Sequence, residues 1–240
     1  MTRPTVPLVI AHRGASGSLP ENTLPAYALA VRQRADMIEI DLHVTRDGAT
    51  LVTHDEDLAA LGGRGEIALA SAAEIRALDA GNGERVPSLD EVLDAFGAVI
   101  PFNLELKRGR DAFYPGLEAA ALEAVQRRGL LARTLFSSFD DPVLARLRGL
   151  CGEARTALLL SPRRCQRPFE RAHALGAEAV NPSLWLATPE LIETAHAEDL
   201  AVYVYTVDAE HDTRRLLDQG VDGLFTNYPD RLRVLVDSRA

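Results

Sequence analysis

The sequence predicts an α/β fold, specifically a (β/α)₈ TIM barrel with a small insertion after the second strand. Short apolar runs typical of buried parallel strands alternate with amphipathic runs of helical periodicity throughout the 240 residues. Eight such strands is the number that closes a barrel. An open doubly wound sheet is the alternative, but the glycine-rich first turn followed by an acidic residue is missing. We therefore expect residues 1–240 to form one TIM-barrel domain, with residues 56–87 as an insertion over its mouth.

The first part of the chain carries clear signals for where its elements begin. Asn22 or Thr23 can cap the first helix, and Ser88 with Glu91 forms a capping box for a later one. Asp47-Gly48 is a typical turn pair between a strand and a short return strand. We predict strands at residues 8–11, 37–44, 50–53 and 99–105, and helices at residues 22–34, 71–78 and 88–96.

The second part of the chain repeats a strand followed by a helix. Each strand is a short apolar run, and Pro189 stands where proline is favoured, in the first turn of a helix. We predict strands at residues 135–136, 157–160, 179–180, 201–205 and 223–225, and helices at 117–128, 141–150, 169–175, 189–198, 210–219 and 229–236. Polar residues that follow these strands should meet at the carboxyl end of the barrel, where active sites form.

Composition narrows the class of protein. A hydrophobic share of 47% is enough for a sizeable core, and a net charge of −9 argues against nucleic acid or an anionic membrane surface as partner. The N-terminus lacks the pattern of a signal peptide, and no apolar run is long enough to span a bilayer. We therefore expect a cytoplasmic protein that acts on a small molecule, with Cys151 and Cys165 as reduced thiols. The sequence does not indicate an oligomeric state.

Three carboxylates are candidates for a metal site. Glu39 and Asp41 lie two residues apart on a predicted strand and so share a face, and Glu105 ends another strand. Oxygen ligands suit one divalent cation, Mg²⁺ or Ca²⁺. The alternative is that Arg13 and Lys107 neutralise these carboxylates without any ion.

Two histidines and two cations complete the candidate site. His12 and His54 end apolar runs and can serve as an acid–base pair, although a single histidine at a strand end is usually structural. Arg13 and Lys107 are candidates for binding a phosphate; Lys107 is the only lysine in the chain, which hints that a compact ammonium is needed there. We expect Lys107→Met to leave thermal stability near wild type, because the change relieves crowding with Arg13.

Several polar residues can line the same pocket or, equally well, cap loops and helices. We assign Asn22 and Tyr205 to substrate binding. Trp185, the only tryptophan, is expected to pack in the core or against a loop, and the alternative is that it forms a wall for the substrate. Further candidates for the lining are Ser137, Asn181 and Asn227.

Nearly the whole chain resembles the glycerophosphodiester phosphodiesterase family, motif by motif and in the same order. The matching motifs are His12-Arg13-Gly14, Pro20-Glu21-Asn22-Thr23, Glu39-x-Asp41, Asp47-Gly48, His54-Asp55, Asn103-Leu104-Glu105-Leu106-Lys107, Ser137-Ser138-Phe139, Gly220-Val221-Asp222-Gly223 and Thr226-Asn227-Tyr228-Pro229. The resemblance implies that Glu39, Asp41 and Glu105 hold a divalent metal and that the two histidines act in opposite senses on a phosphodiester.

Two positions depart from the family pattern. Tyr205 stands where many members carry tryptophan, and Leu58-Ala59-Ala60-Leu61 replaces the usual Leu-x-Arg-Thr. Because of both departures, the sequence does not determine which headgroup is preferred or what geometry the barrel mouth has.

The function that the resemblance implies is metal-dependent hydrolysis of glycerophosphodiesters to an alcohol and glycerol 3-phosphate. A related barrel phosphodiesterase that acts on lysophospholipid or another diester, with a cyclic phosphate product, is the first alternative. A non-catalytic ligand-binding barrel is the second, but it should have lost at least one of the two histidines or three carboxylates. The sequence leaves open which histidine is the acid, and whether water or a glycerol hydroxyl attacks.

Overall fold

A computed structural model of the protein describes residues 4–109 and 113–239. Within these ranges the chain forms one nine-stranded sheet, in which eight parallel strands close into a barrel. The strands are β1 Leu8–His12, β2 Met37–Val44, β3 Thr50–Val52, β4 Phe102–Leu106, β5 Thr134–Ser138, β6 Arg155–Leu160, β7 Ala179–Pro182, β8 Ala201–Val204 and β9 Gly223–Thr226. β1 pairs with both β2 and β9, which closes the barrel, and β3 is an antiparallel partner of β2 alone. The predicted TIM barrel is therefore confirmed.

The helices follow the strands as the alternating pattern predicts. Their bounds are α1 Leu24–Arg32, α2 Ala72–Arg76, α3 Leu89–Phe96, α4 Leu117–Gln126, α5 Asp141–Leu150, α6 Pro168–Leu175, α7 Pro189–Ala197, α8 Glu210–Asp218 and α9 Pro229–Asp237. The Thr23 hydroxyl accepts a hydrogen bond from the backbone of Ala26, and Ser88 forms the predicted capping box with Glu91. No helix in the described part of the chain is long and apolar enough to cross a bilayer.

The strands bury both of their faces. Outward residues such as Val180, Val202 and Leu224 pack against the helices. Inward residues from seven strands pack together inside the barrel: Ile10, Met37, Leu135, Ala157, Ala179, Ala201, Tyr203 and Phe225. Because this apolar plug fills the barrel below the carboxyl ends of the strands, inward polar residues are left at those ends.

The segment between β3 and α3 packs on a small core of its own. It contains 3₁₀ turns at Leu58–Leu61 and Ile67–Leu69 in addition to α2, and neither turn was predicted. The buried residues of this core are Leu51, Leu58, Ile67, Ile75 and Val86. The role of residues 56–87 as a cover over the mouth stays a prediction.

Two local predictions were wrong. Residues 99–101 do not begin a strand, because the amides of Val99 and Ile100 both donate to Phe96 O and so extend the end of α3. Trp185 does not pack in the core, since it is 85% exposed. Its neighbours Leu184 and Leu186 turn towards the apolar layer between barrel and helices, and this orientation directs the indole outward.

Candidate active site

The three predicted carboxylates meet at the carboxyl ends of two adjacent strands. Asp41 on β2 pairs in register with Glu105 on β4, and Glu39 lies one inward position below Asp41. Oxygen atoms of the three side chains lie within 4.8 Å of one another. Burial, followed by the neighbouring carboxylates, raises the pKa of Glu39. Burial likewise raises the pKa of Glu105, although Lys107 opposes it.

Two cations compensate part of this negative charge. Lys107 Nζ is 2.8 Å from Asp41 Oδ1 and 2.7 Å from Glu105 Oε1. Arg13 Nε is 3.3 Å from Asp41 Oδ2, and Arg13 Nη1 donates to both oxygens of Glu21 at 3.0 and 2.9 Å. Burial alone would raise the pKa of Asp41, but Lys107 and then Arg13 outweigh it and hold that pKa well below its usual range. Asp41 is therefore ionised, and three carboxylates face two cations here.

The donor set fits a hard divalent cation. All three groups offer oxygen, the ligand atom that Mg²⁺ and Ca²⁺ prefer. Asp41 Oδ1 is buried and, apart from its ionic contact with Lys107, has no hydrogen bond of good geometry to any described residue. A buried carboxylate oxygen of this kind, beside two other carboxylates, is suited to coordinate a metal.

Asn22 lies behind this cluster. Its Nδ2 donates to Asp41 Oδ2 at 2.9 Å, and its Oδ1 accepts from the Tyr27 hydroxyl at 3.0 Å. The backbone at Asn22 has φ 56°, a left-handed conformation that asparagine tolerates better than most residues. The side chain therefore orients a carboxylate, and it does not line the cavity described below.

His12 ends β1 and points into the barrel mouth with a defined tautomer. Its Nδ1 is 2.8 Å from Asn227 Oδ1. The amide of Asn227 is itself oriented, because its Nδ2 donates to Asp208 Oδ2 at 2.7 Å. Asn227 Oδ1 must accept, so Nδ1 of His12 carries the proton and Nε2 keeps its lone pair. Burial and then Arg13 lower the pKa of His12 to about 4, so the imidazole is neutral near pH 7.

His54 follows β3 and is more exposed than His12. Its Nδ1 is 2.7 Å from Asp55 Oδ1, and 36% of its side chain is accessible. Its backbone carbonyl accepts from His43 Nε2 at 3.1 Å, while His43 Nδ1 is 2.7 Å from the Tyr114 hydroxyl. Our sequence reasoning missed His43, although the spacing Glu39, Asp41, His43 on one strand face was a signal for it.

One cavity of about 190 Å³ brings most of the predicted residues together. Its lining contains His12, Arg13, Glu39, His54, Glu105, Lys107 and Tyr205 from the predicted set. Thr206 also lines the cavity, as expected for a polar residue that follows a strand, and the lining residues that we did not predict are Asn103, Phe139, Leu159 and Phe225. Asn103 and Phe139 belong to sequence motifs quoted above and could have been predicted from them. Leu159 and Phe225 could not, because in the sequence each resembles an ordinary core residue.

Two of the remaining polar candidates, Ser137 and Asn181, are buried deeper. Asn103 Nδ2 donates to Ser137 Oγ at 2.9 Å, and Asn181 is fully buried in β7. The Tyr205 hydroxyl donates to Leu160 O at 2.7 Å, so this residue offers the cavity its ring. Phe139 and Phe225 contact that ring edge to face, with centroids 6.0 and 6.5 Å away. The cavity thus has one charged wall and one aromatic wall.

This arrangement can act on a phosphate ester. A neutral imidazole with a free lone pair can remove a proton, and a second imidazole beside a carboxylate can supply one. An ammonium, a guanidinium and an oxygen-lined metal site can stabilise negative charge on phosphoryl oxygens.

Comparison with known proteins points to the same chemistry. A model of the glycerophosphoryl diester phosphodiesterase family matches residues 12–231. A glycerophosphodiester phosphodiesterase of Bacillus subtilis (strain 168) is 34% identical over 251 residues, which cover 93% of this chain and 84% of that protein. One from Caldanaerobacter subterraneus subsp. tengcongensis is 34% identical and covers 95% of this chain and 97% of that protein. The structure of an Oleispira antarctica phosphodiesterase in complex with the product sn-glycerol-3-phosphate superposes with a TM-score of 0.86 at 30% identity, covering 97% of each chain.

Proposed function

Because the chain belongs to the glycerophosphoryl diester phosphodiesterase family, we propose that it hydrolyses glycerophosphodiesters to an alcohol and glycerol 3-phosphate. The observation that carries the proposal is the convergence of both histidines, Lys107 and the carboxylates on one small cavity. The Oleispira antarctica relative binds sn-glycerol-3-phosphate, and the cavity of this chain is of a size that suits such a product.

The metal half of the proposal is that Glu39, Asp41 and Glu105 hold one divalent cation, Mg²⁺ or Ca²⁺. When bound, the cation would stabilise negative charge on the phosphoryl oxygens. Asn22 keeps Asp41 turned into the site, and Lys107 neutralises the side of Asp41 and Glu105 that it faces. Burial and the neighbouring carboxylates favour the neutral form of Glu39 while no cation is bound, and a divalent cation would favour the ionised form of all three carboxylates.

The acid–base half assigns opposite roles to the histidines. His12 Nε2 takes the proton of the attacking oxygen as its bond to phosphorus forms. When that oxygen belongs to water, glycerol 3-phosphate forms directly; when it is the neighbouring glycerol hydroxyl, a cyclic phosphate forms and water then opens it to glycerol 3-phosphate. His54, nearer the solvent, gives a proton to the alcohol oxygen as the bond between that oxygen and phosphorus breaks. Arg13 and Lys107 hold phosphoryl oxygens, one as a fork and one as a point charge. The aromatic wall around Tyr205 contacts the carbon skeleton.

The test is hydrolysis of glycerophosphocholine, read as glycerol 3-phosphate formed, with and without a chelator. We expect product without chelator, none after exhaustive chelation, and recovery with Mg²⁺ or Ca²⁺. Full activity after chelation would refute the metal half alone. Accumulation of a cyclic phosphate with no glycerol 3-phosphate would replace the proposed reaction with that of a related diesterase.

A further inference from the structure

A second, larger cavity opens directly beside the catalytic one. It encloses about 490 Å³ and shares Glu105, Lys107 and Phe139 with the smaller cavity, so a bound molecule can extend from one into the other. Glycerol 3-phosphate is the part common to all substrates of the proposed reaction. It belongs with the catalytic groups, and the larger cavity is then left for the variable alcohol.

The lining of this larger cavity contains three arginines. Arg108 follows β4, and Arg163 and Arg164 lie in the loop after β6. We call them the arginine cluster. The loop and the start of α6, residues 161–169, contain three arginines and no acidic residue. This is unusual in a chain whose net charge is −9.

The charges of the arginine cluster are only partly compensated. Arg164 Nη1 donates to Asp140 Oδ1 at 2.6 Å, and Arg108 Nη1 lies 3.7 Å from the same oxygen. Arg163 forms no hydrogen bond or ion pair with any residue that the structure describes. The other carboxylate in the lining, Glu105, already faces Lys107. Three guanidinium groups therefore share one carboxylate, and a net charge of about +2 remains next to the site of bond cleavage.

We propose that the arginine cluster is a subsite for an anionic group, a phosphate or a carboxylate, on the leaving alcohol. The inference rests on the proposed function, and it names the substrate class. Guanidinium forks match the geometry of phosphate and carboxylate oxygens, and Arg163 is free to turn towards one. A cationic alcohol such as choline meets the same positive charge and is disfavoured.

The experiment compares glycerophosphoglycerol with the same diester carrying a terminal phosphate on the leaving glycerol. The wild-type enzyme should show a kcat/KM at least roughly tenfold higher for the phosphorylated diester, the scale of one charge-assisted hydrogen bond. In Arg163→Gln the ratio of the two kcat/KM values should fall about tenfold. Arg163 is exposed and unpaired, so the substitution should not impair folding.

Arg34→Gln is the matched control. It removes the same charge from the opposite end of the barrel, where Arg34 pairs with Asp237 at 3.1 Å, and it should leave the ratio at its wild-type value. No wild-type preference, or a preference that persists in an Arg108→Gln, Arg163→Gln double variant, would overturn the inference. A third result would also overturn the inference: phosphatidylglycerol vesicles stimulate the activity, the stimulation depends on Arg163, and neither diester is preferred. The arginines would then bind a membrane surface. If glycerophosphocholine and both of these diesters are all left intact, the proposed function itself fails.

Discussion

His12 shows how a single residue acquires a defined chemical role from its neighbours. Asp208 orients Asn227, and Asn227 holds Nδ1 of His12 as a donor. Burial and the cation at Arg13 keep the ring neutral, with a pKa of about 4. His54, in contrast, is open to solvent beside Asp55. The two histidines therefore differ in exposure and in hydrogen-bond partner although the sequence presents them alike.

We expect His12→Ala and His54→Ala each to lower kcat by roughly 10²-fold or more, the usual scale for a lost acid or base. KM should change less, because Arg13 and Lys107 are the residues proposed to hold the phosphate. The measurement is steady-state kinetics with glycerophosphocholine, with thermal unfolding to show that both variants are folded. His211→Ala, at an exposed site on α8, is the control and should behave as wild type. Wild-type kcat in either active-site variant would make that histidine structural.

Lys107 requires a revision of our expectation for stability. It contacts Asp41 and Glu105 at 2.8 and 2.7 Å and, although burial opposes it, these carboxylates raise its pKa. The ammonium therefore relieves anionic crowding, and crowding with Arg13 is the lesser effect. Lys107→Met leaves two buried carboxylates with less compensation.

Lys107→Met should depress kcat strongly, and it should lower the free energy of unfolding by about 3 kcal/mol, the scale for breaking a buried ion pair. Added Mg²⁺ or Ca²⁺ should restore part of that stability. Kinetics and urea unfolding, with and without cation, are the measurements, and Lys107→Arg is the charge-preserving control. Normal turnover by the remaining folded enzyme would assign Lys107 a purely structural role.

At the scale of elements, the sequence specified what depends on local chemistry. The helix starts at Thr23, Ser88 and Pro189 were predictable because capping and proline preferences act within one turn. The missing strand at residues 99–101 reflects a local turn, in which the amides of Val99 and Ile100 donate to Phe96 O, and the apolar pattern did not reveal it. The outward turn at Trp185 was not predictable, because contacts of its neighbours with residues remote in sequence decide it. The 3₁₀ turns of the insertion escaped prediction for the same reason.

Glu91 connects α3 with α2 of the insertion, and a substitution of Glu91 tests this connection. It caps α3 through Ser88 and receives Arg76 of α2 at 2.6 and 2.7 Å, so the insertion is tied to the barrel layer. The hydrogen bond from Arg76, followed by those from Ser88, outweighs burial and lowers the pKa of Glu91 to about 2. A carboxylate with a lowered pKa stabilises the folded state above its unfolded pKa, and this stabilisation is lost as pH falls through the folded value.

Glu91→Gln should therefore lower the free energy of unfolding by roughly 2 kcal/mol at pH 7. At pH 3 the difference in unfolding free energy between variant and wild type should be about half as large, because the carboxyl group of Glu91 in the unfolded chain is protonated below about pH 4.5. Urea unfolding at both pH values gives the measurement. Glu74→Gln removes the equivalent carboxylate of the exposed capping box at Ser71 and should cost less. A pH-independent difference at Glu91 would exclude the ionic linkage.

At the scale of the whole molecule, the candidate site joins distant parts of one closed sheet. The acidic positions Glu39, Asp41 and Glu105 could be predicted because strands alternate and barrel active sites form at carboxyl ends. Residues such as Asp208 and Asp140 could not, since their importance depends on partners across the rim. The sequence thus indicated which side chains meet at the barrel mouth, and the closed barrel determined how they are held.

Cation binding should be visible in the stability of the whole chain. A saturating divalent cation at about 100 times its Kd adds about 2.7 kcal/mol, which should raise Tm by roughly 5–10 °C in a chain of this length. Sodium chloride at equal ionic strength is the control and should not reproduce the shift. In Glu39→Gln the shift should be lost, while Tm without cation stays near wild type because burial already favours the neutral form of Glu39. An undiminished shift in that variant would place the cation elsewhere.

The contact between His12 and Asn227 also relates the site to the order in which the chain is synthesised. The two residues are 215 positions apart, and β1 has its partner β9 only when the last strand exists. A growing polypeptide that has reached α8 already contains both histidines and all three carboxylates, yet His12 has no Asn227 to fix its tautomer. The arrangement at the barrel mouth is therefore complete only after β9 and Asn227 have been synthesised, and a shorter nascent chain carries the same side chains without the contact that orients His12.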